Sequence, residues 1–128
     1  VMHRNTFIDS PRLLDRYYRL RKDPRIAFAG QMTGVEGYVE STASGYLAAV
    51  AMAAKVQGRP IPEFPRETAV GALGLYISDE SVSNFQPMNI NFSIISPLEK
   101  RIRKKAEKNL AIAQRSLEII DRMAEQGI

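Results

Sequence analysis

Phe28-Ala29-Gly30-Gln31-Met32-Thr33-Gly34-Val35-Glu36-Gly37-Tyr38-Val39-Glu40-Ser41 is the stretch whose reading decides the fold. The apolar run Ile26 to Ala29 reads as a strand that breaks at Gly30 into a loop with further glycines at 34 and 37. The loop opens onto a helical pattern that begins near Tyr38 and runs to about Gln57. Such an arrangement gathers backbone N–H groups and the positive end of a helix dipole, a setting suited to an electron-rich or anionic ligand. The spacing is not G-x-G-x-x-G, so the dinucleotide fingerprint is absent. Two readings stay open here: a ligand-facing wall, or a tight turn that needs glycine only for backbone shape.

Outward from this stretch, Tyr46 to Ala54 is an unbroken apolar run, which predicts a helix buried on all sides. Gln57-Gly58-Arg59-Pro60 stops it with a C-cap glycine and a following proline. Pro60, Pro62 and Pro65 make an extended connector, and a second helix follows over Thr68 to Ile77 with Val70, Leu73 and Ile77 on one face. Asn89 to Ile94 alternates polar and apolar residues between prolines, which fits an extended ligand-lining or capping segment. Ser96-Pro97-Leu98-Glu99 has the form of a capping box and predicts the start of the last helix. Its apolar stripe is Ile102, Ala106, Leu110, Ala113, Leu117, Ile120 and Ala124. Before the glycine loop, a hairpin of Tyr17–Leu20 with Arg25–Ala29 is expected around Lys22-Asp23-Pro24, with a short helix at Pro11–Leu20 as competitor.

A length of 128 residues bounds the chain to one domain or part of one. A hydrophobic share of 45% beside a charged share of 25% argues against global disorder. There is no cysteine, which excludes a disulfide framework and any thiolate nucleophile or metal ligand in this chain. The uncharged, Ala-rich stretch Ser41 to Ala54 is too short for a bilayer span, and a cytoplasmic location with no membrane partner is expected. Net charge is +4, distributed as +4 over residues 1–25, −3 over 26–98 and +3 over 99–128. Basic ends around an acidic middle suit a polyanion partner, or solvated helix faces.

His3 is the only histidine, and no Ser or acid near it in the sequence completes a triad. No cluster has metal spacing, so no metal and no catalytic residue is assigned. Glu36 and Glu40 fall four apart at a helix start, a dipole-favourable pair. Lys100, Arg101, Arg103, Lys104, Lys105 and Lys108 crowd the predicted start of the last helix, where the dipole disfavours cations, a local cost consistent with phosphate contact. No aromatic interleaves with them in sequence, so base stacking is not expected there.

Four blocks together resemble one family. His3-Arg4-Asn5-Thr6, Phe28 to Ser41, Phe64-Pro65-Arg66-Glu67-Thr68-Ala69 and Asn84-Phe85-Gln86-Pro87-Met88-Asn89-Ile90-Asn91-Phe92 are similar to the folate- and FAD-dependent tRNA (uracil-5-)-methyltransferases, the TrmFO family. The GidA/MnmG flavoproteins that modify the wobble uridine share the glycine-rich turn but not these words. The resemblance is to the C-terminal portion of a longer enzyme. It implies an α+β, mainly helical fold, with a short β-ribbon and buried helix at 1–58 completing a Rossmann-type FAD-binding domain and a helical C-terminal region at 59–128. It implies FAD as cofactor, with NAD(P)H and methylenetetrahydrofolate as co-substrates, and tRNA methylated at the T-loop uridine.

On that resemblance, Gly30, Gln31, Thr33, Gly34, Gly37 and Tyr38 would contact the flavin, largely through backbone N–H. His3, Arg4 and Asn5 would contact folate, and Arg12, Lys100, Arg101, Lys104, Lys105 and Lys108 the tRNA, with Arg16 and Arg19 nearby. The other partner would be the N-terminal FAD and catalytic portion of the same enzyme. The chain alone is expected to be inactive and to retain little flavin. The competing readings are a non-enzymatic helical RNA-binding module, part of a GidA/MnmG-like enzyme, and an interaction domain that dimerises through its apolar helix.

Overall fold

A computed structural model describes residues 6–128. His3, Arg4 and Asn5 therefore lie outside the described residues. Among the described residues four helices follow one another, α1 (Ser10–Leu13), α2 (Tyr38–Val56), α3 (Ala69–Ile77) and α4 (Lys105–Glu125), with 3-10 turns at Gly30–Thr33 and Phe92–Ile94. The mainly helical expectation holds. The β-ribbon shrinks to isolated bridges, Leu14 with Leu20 and Arg19 with Ala27, both antiparallel, and Val35 with Met88, parallel.

The expected pairing of Tyr17–Leu20 with Arg25–Ala29 is present as two backbone bonds, Leu20 N–H to the Ile26 carbonyl and Phe28 N–H to that of Tyr18, both 2.9 Å. It stops there because a second, tighter turn precedes it. The Asp15 carboxylate accepts from the backbone N–H of Tyr17 (2.9 Å) and Arg19 (3.1 Å) and from the Arg19 guanidinium (2.9 Å). That clamp holds the buried Tyr18 at φ 65, a left-handed conformation incompatible with a continuous strand. The competing helix is also real, but only as α1, which ends in extended backbone at Leu14.

α2 ends in a Schellman motif. Gly58 sits at φ +66, its N–H reaches the Lys55 carbonyl at 3.2 Å, and Arg59 N–H reaches that of Ala54 at 2.9 Å. The helix is not buried on all sides. Ser44, Leu47, Ala48, Ala51 and Ala54 face the core, whereas Tyr46 is half exposed and Val56 is 85% exposed. A body this small covers one face of a long apolar helix, not its circumference. α3 is capped by Thr68, whose side chain accepts from Gly71 N–H at 3.0 Å. Its glycines are demanded by close approach: a Cβ at Gly71 would lie 2.2 Å from the Pro65 carbonyl oxygen, and one at Gly74 2.4 Å from that of Arg16. The core joins Leu14, Tyr18, Val35, Leu47, Phe64, Leu73, Ile77, Phe85, Ile94, Ile95 and Ile112, drawn from every part of the described chain.

α4 departs furthest from expectation. The capping box at Ser96–Glu99 is not used, and the helix begins at Lys105 behind Lys104, which offers no side-chain cap. Ser96 instead donates its N–H to the Arg66 carbonyl (3.2 Å), and the Arg115 guanidinium holds the carbonyls of Ser96 and Pro97. Four cations between 100 and 104 would crowd the positive end of a helix begun at Ser96, and the chain stays irregular through them. The stripe is also rotated relative to the core. Ile112 is buried and Ile120 and Met123 pack inward, while Leu110 is 59% and Leu117 64% exposed. Ala106, Ala113 and Ala124 lie on the exposed side with them. The Ser116 hydroxyl accepts from Ala69 N–H at 3.1 Å, which ties this face of α4 to the start of α3.

Candidate functional site: the glycine loop and a basic groove

The three loop glycines occupy conformations that L residues avoid, with φ +78 at Gly30, +94 at Gly34 and +107 at Gly37. The loop is held from inside. Gly30 N–H donates to the Ser44 hydroxyl (2.8 Å), Ser10 donates to the Thr33 carbonyl (2.6 Å), and Thr33 donates its own hydroxyl to the Gly30 carbonyl (2.8 Å). Gly34 N–H returns to the Gln31 carbonyl at 2.9 Å. Gly34 also lies under the Phe85 ring, where an added Cβ would come within 2.3 Å.

A second segment closes over the loop. Val35 bridges Met88 through Glu36 N–H to the Met88 carbonyl and Met88 N–H to the Gly34 carbonyl, both 3.0 Å. Asn89 donates to the Glu36 carbonyl at 2.7 Å, and Ile90 N–H donates to the Glu40 carboxylate at 3.1 Å. The expected capping role of the Asn-rich segment is thus present, and what it caps is the loop. Glu40 is buried in the first turn of α2, and its carboxylate is packed against Gly37. The positive end of α2 therefore already holds the chain's own acid.

Of the six loop positions named from sequence, Thr33 and Gly34 are interior, and Gly37 backs onto Glu40. Gln31 and Tyr38 face outward, Tyr38 at 95% exposure, beside exposed Met32 and Val39. Gly30 is open on its Cβ side, with nothing nearer than 3.9 Å. The outward rim is uncharged and partly apolar.

The cations named from sequence do not act as one set. Lys100, Arg101, Lys105 and Lys108, joined by Arg103, line a groove of about 1040 Å³ with Asn91, Phe92, Ser93 and Asn109. Lys104 instead lies 4.0 Å from Glu107, and Arg12, on α1, is 3.6 Å from Asp9 and absent from the groove. Arg16 and Arg19 have structural work. Arg16 pairs with Glu63 and bonds the Phe64 carbonyl, Arg19 pairs with Asp15 at 2.8 Å, and both guanidinium groups lie over the Tyr17 ring, 5.6 and 5.3 Å from its centroid. Sequence order missed Phe92 as a groove residue because it comes from the loop-capping segment, remote in sequence from the cations. Among the described residues, no helix is long and apolar enough to cross a membrane.

Comparison with known proteins bears on both regions. The family model described as glucose inhibited division protein A matches residues 1–60. A Natranaerobius thermophilus protein is 54% identical over 128 residues, which is 100% of this chain and 29% of that protein. A Bacillus cereus protein is 55% identical over 120 residues (94% of this chain, 28% of that protein), and one from Listeria monocytogenes 51% over 126 (98% and 29%). All three are named methylenetetrahydrofolate–tRNA-(uracil-5-)-methyltransferase TrmFO. This chain spans less than a third of the length of these relatives, 29% of the first. Identity of 54% over the whole of this chain places it in the TrmFO family, as a part of the length of its members.

Proposed function

We propose that this chain works as part of a methylenetetrahydrofolate- and FAD-dependent tRNA methyltransferase acting at C5 of the T-loop uridine. The observation that carries the proposal is the 54% identity over the entire chain to a relative so named. Residues 1–58 would complete the flavin-binding domain and 59–128 form the helical region beside it, with the remaining, N-terminal portion of the enzyme as their partner. NAD(P)H would serve as reductant.

The loop fits one part of a flavin site and not another. Gln31, Met32 and Tyr38, all exposed, make an uncharged rim on which a flat ring system can rest, whereas the N–H and carbonyl of Gly30 are already committed to Ser44 and Thr33. The first turn of α2 does not suit an anion, because Glu40 already occupies it. The role of Gln31 and Tyr38 is thus to position, and that of Ser10, Ser44 and Phe85 to keep the loop backbone in the shape that turns this rim outward. A bound flavin would supply the reducing electrons of the one-carbon transfer. The chain itself has no thiol to act as nucleophile.

The test is methyl incorporation into a T-loop uridine by the longer protein that contains this chain, supplied with methylenetetrahydrofolate, FAD and NAD(P)H. Folate-dependent methylation supports the reading, and methylation of a wobble uridine or none at all overturns it. The 128-residue chain alone is expected to show no methylation and no stoichiometric flavin.

A further inference from the structure

We propose that the groove between Phe92 and the start of α4 is a binding site for an unpaired RNA nucleotide, with the base stacked on the Phe92 ring and the flanking phosphates held by the surrounding cations. The groove is lined by Lys100, Arg101, Arg103, Lys105 and Lys108 against one acid, Glu99. Among the described residues none of those five cations lies within ion-pair distance of a carboxylate, whereas Arg12, Arg16, Arg19, Arg21, Arg25 and Lys104 all do. Five cations without an ion pair, gathered in one groove, are suited to an external polyanion.

Charge alone would describe any phosphate surface. Phe92 makes this groove different. It is an aromatic residue 43% exposed, carried into the cationic groove by the 3-10 turn Phe92–Ile94. That turn is pinned by Asn91, which accepts from Ser93 N–H at 2.9 Å, and by the burial of Ile94 and Ile95 behind it. An exposed ring on a rigid mount gives a stacking platform at little conformational cost, the element that separates single-strand recognition from simple backbone attraction. Asn91 and Ser93 in the same lining are bonded to each other, and Asn109, also in the lining, is the side chain that can meet the edge of a base. A duplex keeps its bases stacked and cannot present a face to Phe92, so the site selects a looped or flipped-out nucleotide. On the far side of Phe92 the groove continues into a trough of about 350 Å³ lined by Ile90, Ile95, Ile112, Ala113 and Leu117.

This inference rests on the RNA-substrate part of the reading above and deepens it. The experiment titrates a short fluorescein-labelled oligouridylate, the corresponding duplex and inorganic polyphosphate against the protein, following anisotropy at several salt concentrations. Phe92→Leu keeps the apolar volume and removes the ring; it should weaken single-strand binding about 10-fold while leaving the salt slope unchanged. Phe92→Tyr should restore the affinity. Replacing Lys100, Arg101, Lys105 and Lys108 by Gln should flatten the salt slope by roughly 0.7 for each phosphate that is no longer neutralised. Circular dichroism of each variant identifies any loss of fold. Duplex or polyphosphate binding as tight as the single strand, an inert Phe92→Leu, or preference for an amphipathic peptide in the trough would each overturn the proposal. Tight, Phe92-dependent oligonucleotide binding in a longer protein that fails to methylate would uphold the groove and fault only the reaction.

Discussion

Gly34 and Gly58 share a positive φ and differ in everything else. At Gly34 (φ +94) an added methyl meets the Phe85 ring at 2.3 Å; at Gly58 (φ +66) nothing stands within 4 Å. Gly58→Ala should therefore cost only the backbone strain, about 1 kcal/mol, while Gly34→Ala adds overpacking and should cost roughly 3 kcal/mol. Urea titration of the two variants measures the difference, and equal costs would mean that Phe85 moves aside freely. Tyr18 offers a separate test. Burial pushes its phenol well above the ordinary value of 10.0. The folded state thus holds the proton more tightly than the unfolded one, so this contribution is complete below about pH 10 and is lost as pH rises beyond it. Alkaline denaturation should set in above about pH 10 and be blunted in Tyr18→Phe, read by denaturant midpoint against pH. From sequence, the glycines could be located but not assigned. Three positive-φ glycines look alike whether a ligand or a neighbouring ring fills the space, and Phe85, which fills it at Gly34, lies fifty-one positions downstream.

Among the elements, α2 and α3 are legible in the sequence because their signals are local. A glycine in the left-handed conformation ends α2, and a threonine hydroxyl caps α3. α4 differs from its sequence pattern in start and in face for reasons that are not local. The capping box competes with cations crowded just beyond it, and the carbonyls of Ser96 and Pro97 are claimed by Arg115, nearly twenty residues on. An amphipathic stripe shows which residues are apolar, but a body this small decides which of them it can reach. The consequence is measurable. Ile112→Ala should cost about 3 kcal/mol, as a core truncation does, whereas Leu117→Ala should stay within about 0.5 kcal/mol. Thermal or chemical unfolding of the two variants checks it, and a larger loss at Leu117 would mean that the helix turns a different face to the core.

At the scale of the whole molecule, the most exposed large apolar residues among those described lie on two helices, Tyr38, Val39, Tyr46 and Val56 on α2 and Leu110 and Leu117 on α4. In relatives that extend well beyond this chain, such faces have more protein available to cover them. The isolated chain should then self-associate as its concentration rises. Sedimentation velocity should show the shift, and Val56→Lys with Leu110→Lys, both at exposed positions, should suppress it while leaving the core intact. A monomer at all concentrations would mean that these faces are tolerated in water.

The irregular run ahead of α4 has a mechanical consequence as well as an electrostatic one. Coiled into helix, residues 97–104 would measure about 12 Å; drawn out, the same residues can reach about 27 Å. The irregular run therefore covers more ground than a helix would, between the turn that carries Phe92 and the start of α4. Ile102 is partly buried while Arg101 and Arg103 on either side are exposed, so the run is tethered at its middle and free at its charges. In the groove proposed above, a tether of that kind would let cations adjust to backbones of varied curvature without moving the platform. It tolerates shape and is strict about position.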